Sequence, residues 1–406
     1  MKLVFRNNIF AALSLSRLFN TLGASIYNLV FIVFASSMPL PKLAIAIANF
    51  IVLVPTLVTI FVGIKADRTQ EKSRWLIHIG YTQALLFVFV ALLTQSSSYL
   101  AFSTVCLLNI LSDILTDFRS GLQLPIIQHN VDQDDLMESY SFNQALSYLA
   151  AIGGQALGVW LLAISQNNFM LVALVNALTF LLSSTTLFLV RKNLTHAPVD
   201  TTQTSKPLKE QLKEIYSSAK LIFEQDSSGH FLKLLGQILL INALFGSLTA
   251  LYNLYLLDHP FYSLSFSQSL FLIDFIVVAG VILSSLFPHD YFAKQSIQKM
   301  IAYVALATSL LGASNALSLT PIIPLLVLAF TGYIIGKVNP MVNSMVMSKL
   351  KPEVLAQTSS FLSMLFTLAT PLGTMLFTSL ALWNMSLAWV TCTLLGLLNL
   401  LFGMLK

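Results

Sequence analysis

Hydrophobic positions in this chain do not alternate with polar ones; they run on for 20 residues or more before a polar break, again and again from end to end. A run of that length, coiled as an α-helix, covers the roughly 30 Å hydrocarbon core of a bilayer. Barrel strands would be short and alternating instead. The pattern predicts about twelve spans, at 9–36, 43–64, 74–95, 98–128, 138–164, 168–190, 231–256, 264–288, 297–318, 321–348, 354–381 and 384–404. The first span follows Lys2 and Arg6 as a signal peptide would. It is too long for one and another span follows at once, so an uncleaved helix is expected.

Composition agrees. Of 406 residues, 56% are hydrophobic and 10% charged, with a mean hydropathy of +0.79, whereas about a quarter of residues in soluble domains are charged. The expected fold class is an all-α, multi-pass membrane protein in contact with lipid, placed in the plasma (cytoplasmic) membrane. Basic residues collect in alternate loops: Lys2 and Arg6; Lys65, Arg68, Lys72 and Arg74; Arg191 to Lys220; Lys294 and Lys299; Lys349 and Lys351. The other loops contain only Lys42. By the positive-inside rule both termini are then cytoplasmic. The same bias accounts for the net charge of +5, so no nucleic-acid partner is implied. Cys106 and Cys392 fall inside spans without metal-ligand spacing, so neither a disulfide nor a metal site is expected. No cofactor is implied, and a monomer is expected.

The one long polar stretch, "RKNLTHAPVDTTQTSKPLKEQLKEIYSSAK" (191–220), divides six spans from six. The expected organisation is a bundle over 1–190, a linker over 191–228 and a second bundle over 229–406. Within the linker, Leu208, Leu212, Ile215 and Ala219 share one helical face, which fits either an amphipathic helix on the membrane surface or a solvated one. The halves also repeat each other. "IYNLVF" (26–31) returns as "LYNLYL" (251–256), and "DQDDLMESYSFNQALSYLAAIGG" (132–154) parallels "KPEVLAQTSSFLSMLFTLATPLG" (351–373). That is a parallel six-plus-six repeat, a relation found between the halves of one transporter class.

At this point the chain resembles the major facilitator superfamily. "GIKADRTQEKSRW" (63–75) is similar to that superfamily's signature loop at Gly63, Ala66, Asp67, Arg68, Lys72 and Arg74. It departs at Lys65 and at Gln70, which stands where a second glycine belongs. "SRLFNTLGASIYNL" (16–29) and "LKPEVLAQTSSFLSMLFTLATPLGTML" (350–376) resemble the subgroup of macrolide efflux proteins and the enterobactin exporter. The resemblance implies two rocking six-helix bundles, an exporting activity, and a gating role for Gly63, Asp67 and Arg68. From the residues alone, Gly63 permits a tight turn and Asp67 caps a helix or pairs with a neighbouring cation. "GGQALG" (153–158) carries a small-residue spacing, Gly154 to Gly158, that allows close helix approach.

Six charges fall at bilayer depth: Arg17, Arg119 and Lys337 against Asp113, Asp117 and Asp274. Each costs about 2.5 kcal/mol or more unless it faces partners or water. Asp113 and Asp117 are four residues apart on one helix, about 5–6 Å at Cβ. Two carboxylates that close in a low dielectric resist joint ionisation, which suits proton uptake and release. Asp274 is a second candidate proton site. The competing reading is a static network with these aspartates bound to Arg17 or Lys337. Arg17, Asn20, Thr21, Ala24 and Asn28 form a polar stripe on the first helix. Asn20 and Asn28 of that stripe, with Tyr27, Tyr252, Asn253, Asn339 and Asn343, are candidate cavity residues, Arg17, Arg119 and Lys337 are the candidate charge partners there, and Pro340 is expected to break the tenth helix. Helix-to-helix hydrogen bonding is the alternative for the amides.

The phosphate-binding loop of an ATP-driven pump is missing, "GYIIGK" (332–337) being misspaced. A catalytic aspartate dyad would come from two converging elements rather than one helix, so no enzyme is expected. A cavity with many apolar and few charged residues suits small lipophilic substrates. The expected function is proton-coupled export of such compounds, powered by a proton gradient. A lipid or lipid-linked precursor flippase and a metabolite uniporter or importer remain as alternatives.

Overall fold

A computed structural model describes residues 3–51, 53–132, 135–196, 231–287, 290–349 and 369–404. No strand occurs among the described residues. A short α1 (Leu3–Arg6) leads into α2 (Asn8–Ser36), α3 (Pro41–Ile51), α4 (Leu53–Arg68), α5 (Lys72–Leu93), α6 (Tyr99–Asn130), α7 (Leu136–Ile164) and α8 (Phe169–Leu189). Then follow α9 (Phe231–Asp258), α10 (Phe266–Leu286), α11 (Ile297–Ala316), α12 (Ile322–Lys349), α13 (369–383) and α14 (Met385–Met404). Among the described residues, nine helices are long and apolar enough to cross a membrane. The linker segment over 207–223 lies outside the described residues, as does most of the 351–373 repeat copy.

Helix starts follow from capping residues at the polar breaks. Asn7, Ser98, Asn168 and Ser296 each use a side-chain oxygen to accept an N–H of the first turn, satisfying donors that have no intrahelical partner. Two punctuation residues behave otherwise than expected. Gly63 lies inside α4, which continues through Asp67 to Arg68, so the turn falls at Thr69–Glu71 instead. Asp67 is therefore in the last turn of α4, and the N-cap of α5 is Glu71. Helix α12 likewise runs through Pro340 without ending, since one lost ladder bond need not terminate a long apolar helix.

The chain divides into two compact units, Met1–Thr202 with Ser265–Phe271, and Gln203–Leu264 with Leu272–Lys406. In the first, α2 packs on α7 and α8, α5 on α6 and α8, and α4 on α6. Phe10, Leu13, Leu76, Leu122 and Leu187 fill one end of its core, while Ile26, Val30, Leu162 and Val172 form a second cluster. Glycines set the α2 to α7 spacing. A Cβ on Gly154 would stand 2.6 Å from the Leu22 carbonyl oxygen, and one on Gly158 2.8 Å from that of Ile26. In the second unit α14 packs on α9 and α11, and α11 on α12. There Gln237 and Asn399 exchange hydrogen bonds, each amide donating 3.1 Å to the other's backbone carbonyl. Gly373, the repeat counterpart of Gly154, faces the Ala243 backbone as closely.

Candidate functional site

The acidic pair sits where α6 meets α4. Thr59 Oγ1 donates to Asp117 Oδ2 at 2.6 Å and bonds the Pro55 carbonyl at 2.9 Å. Two turns of contact further on, a Cβ on Gly121 would lie 2.8 Å from the Ala66 side chain. The helices are thus also in contact beyond the aspartates, which are half-buried. Among the described residues Asp113 has no hydrogen-bond donor within reach, and no cation pairs with either carboxylate. Among the described residues the expected pairing of Asp113 or Asp117 with Arg17 does not form.

Each expected cation is engaged elsewhere. Arg119 is 4% exposed, and its Nη2 donates to Ser16 Oγ on α2 and Ser183 Oγ on α8, both at 2.6 Å. It neither snorkels nor pairs with a carboxylate. Gly80 on α5 makes room for it, because a Cβ there would stand 2.6 Å from Nη1. Arg17 is half-buried and donates from Nε to Ser147 Oγ on α7 at 3.0 Å. Lys337 belongs to the other unit's interior. Its Nζ lies 3.4 Å from Asp290 Oδ1 and also donates to the Phe287 carbonyl, while the Tyr333 hydroxyl donates to Asp290.

The candidate cavity residues divide. Tyr27 is 3% exposed and meets the Phe87 ring edge-on at 4.7 Å. Tyr252 is 1% exposed, accepts a hydrogen bond from Asn315 at 3.0 Å and packs on Trp389. Both are core residues of their own units, because a large ring at helical spacing buries more area inward than it gains at a polar wall. Asn20 and Asn253 are buried, and Asn28 is exposed. Asp274 is half-buried within α10. Asn339 and Asn343 lie on α12, and their side chains, like that of Asp67, are outside the described set.

Residues 13–374 match the profile of the Major Facilitator Superfamily. The chain belongs to that superfamily. It is therefore a transporter and a membrane protein. No curated protein matches it. Among solved structures, the peptide transporter POT in complex with sulfate is similar at a TM-score of 0.71 and 15% identity, covering 98% of this chain and 93% of that one. A POT family transporter in complex with 5-aminolevulinic acid gives 0.72 at 12% identity, with 98% and 95% covered. The nucleoside transporter NupG gives 0.66 at 15%, with 98% of each chain covered. At these identities the likeness shows the fold.

Three polar partners of the candidate residues carried no signal in the sequence. Thr59, Ser16 and Ser183 are small hydroxyl residues in apolar runs with nothing local to mark them. Asp290 did carry a signal: the repeat offset that pairs Tyr27 with Tyr252 brings Asp67 to the neighbourhood of Asp290, and the offset that pairs Gly154 with Gly373 brings Arg119 beside Lys337. Burial acts to raise the Asp290 carboxyl, but hydrogen bonds from Tyr333, the Ala293 N–H and Lys337, with the ammonium charge of Lys337, outweigh it and leave the group below the ordinary carboxylate range. A depressed acid stabilises the fold above its unfolded value, about 3.9, and loses that contribution as pH falls through the folded value. Asp290→Asn would leave the 7% exposed ammonium of Lys337 with a carbonyl in place of a carboxylate, at a cost of about 1–3 kcal/mol. The melting-temperature gap between wild type and Asp290→Asn, measured by fluorimetry in detergent, is expected to hold from pH 8 to pH 5 and to shrink only below about pH 4.

Proposed function

We propose that this transporter is a proton-coupled exporter of small lipophilic compounds, with both termini cytoplasmic and six spans in each half, over 1–190 and 229–406. The observation that supports this reading is the acidic pair on α6. Asp113 and Asp117 are half-buried at the level of a span, and Thr59 is the only hydrogen-bond donor to them among the described residues. Charges at that depth persist when they serve a proton or ion path, or when they are paired, and among the described residues these two have no cation partner. A proton taken up at the pair from the outer side favours one access state, and its release to the cytoplasm favours the other. Substrate then leaves against the proton by alternating access. The segment over 63–75, which comprises the end of α4 with Gly63, Asp67 and Arg68, the turn at Thr69–Glu71 and the start of α5, gates that exchange.

The test uses the full chain in proteoliposomes loaded separately with rhodamine 6G and fluorescein. A proton gradient opposed to the dye gradient is expected to speed release of at least one dye, and a protonophore to abolish the gain. Release of both dyes at rates indifferent to the gradient would turn the reading towards a facilitator or a lipid flippase.

A further inference from the structure

Arg17 and Arg119 both lie well inside long helices of the first unit, and they are bound in opposite ways. Arg119 is enclosed, with serine hydroxyls from two other helices on Nη2. Arg17 is held by one tether only. Its Nε donates to Ser147 Oγ, which itself donates to the Asn143 carbonyl at 2.8 Å. Ser14 Oγ, one turn earlier on α2, donates to Asn143 Oδ1 at 3.1 Å. The α2 to α7 seam therefore fixes the Nε edge of the Arg17 guanidinium. Both terminal nitrogens remain without a hydrogen-bond partner or carboxylate among the described residues, on a side chain that is half-buried rather than enclosed.

Arg17 lies nine residues into a 29-residue helix, about 13 Å along its axis at 1.5 Å per residue. A permanently charged group at that depth needs a counter-charge or water. Three residues further on the same face, Asn20 is 9% exposed, and its Oδ1 has no partner. A fork of two parallel N–H donors beside an amide matches a carboxylate whose neighbouring atom carries a hydroxyl or N–H. With one guanidinium and no second cation paired beside it, a single negative charge suits the place better than a phosphate dianion.

We infer that Arg17, with Asn20, recognises a carboxylate on the transported compound, so that the substrates are lipophilic organic acids. This rests on the transport reading above and names its substrate class. Arg17 acts by direct contact with substrate, and Ser147 as a positioning residue that orients it.

The same vesicles supply the test, with fluorescein as the carboxylate-bearing probe and rhodamine 6G as a cationic xanthene whose acid is esterified. Gradient-driven kcat/KM for fluorescein is expected to exceed that for rhodamine 6G by about tenfold or more. Arg17→Gln should remove that preference, Arg17→Lys retain part of it, and Ser147→Ala raise KM for fluorescein while kcat holds. Melting curves of each variant control for folding. Gradient-driven release of rhodamine 6G equal to or above that of fluorescein overturns the inference and leaves proton-coupled export standing. An equal loss of both dyes in well-folded Arg17→Gln also overturns it, assigning Arg17 to helix packing or to a pairing with Asp113 or Asp117 in another state. If neither dye responds to the gradient, the export reading falls and the inference falls with it.

Discussion

Asp113→Asn and Asp117→Asn each bring the ratio of dye release with a proton gradient to release without it down to one. A proton can shift a two-state equilibrium only by its differential affinity for the two states, and a transporter without the binding site has none to apply. Asparagine preserves shape and hydrogen bonding, so the contact of α6 with α4 survives. Stability separates this from a structural role. Removing one member of a buried ion pair costs about 3–5 kcal/mol by stranding the other charge. Here no cation is bound to either aspartate among the described residues, so the melting temperature of both variants is expected to stay at or above wild type. A clear drop in melting temperature together with retained coupling would return the pair to packing.

The second large effect is steric. Gly154→Val and Gly373→Val place a branched side chain against backbone atoms of the facing helix, Leu22 in one unit and Ala243 in the other. Carbonyl oxygens cannot rotate out of the way, so the helices must separate along a continuous seam. Overpacking costs about 1–3 kcal/mol, at times more, and each kcal/mol lowers melting by about 2–4 °C in a unit of some 200 residues. The two substitutions lie in different units and should add. Gly153→Val is the control, since a Cβ there meets nothing within 4 Å. If Gly153→Val and Gly154→Val melt alike, close approach at Gly154 is not what holds α2 to α7.

Helices were legible because each is a long apolar run, and where both ends of an expected span are described they mostly fall within a few residues of the expected limits. The run 74–95, for example, appears as Lys72–Leu93. The repeat and the signature loop were legible as spelling, which is how the superfamily could be read from 63–75. Partners were not. Nothing around Arg119 in the sequence points to Ser16 or Ser183, because the match is made by three helices meeting far along the chain. Tyr27 and Tyr252 misled for a related reason: a repeated Tyr-Asn pair marks equivalent places in two bundles, but the helix turns the tyrosine inward in both. Gly63 misled because a glycine near a loop suggests a turn, while the apolar residues around it keep α4 helical to Arg68.

In both units a polar tie joins the first long helix to one met much later. Ser183 Oγ donates to the Ser16 carbonyl across 167 residues, and Asn399 and Gln237 clasp across 162. During synthesis, then, each half must wait in the bilayer with an unanswered seam until α8 or α14 arrives. The same serines and amides therefore leave each bundle's first long helix without these polar partners until its last described helix has been made.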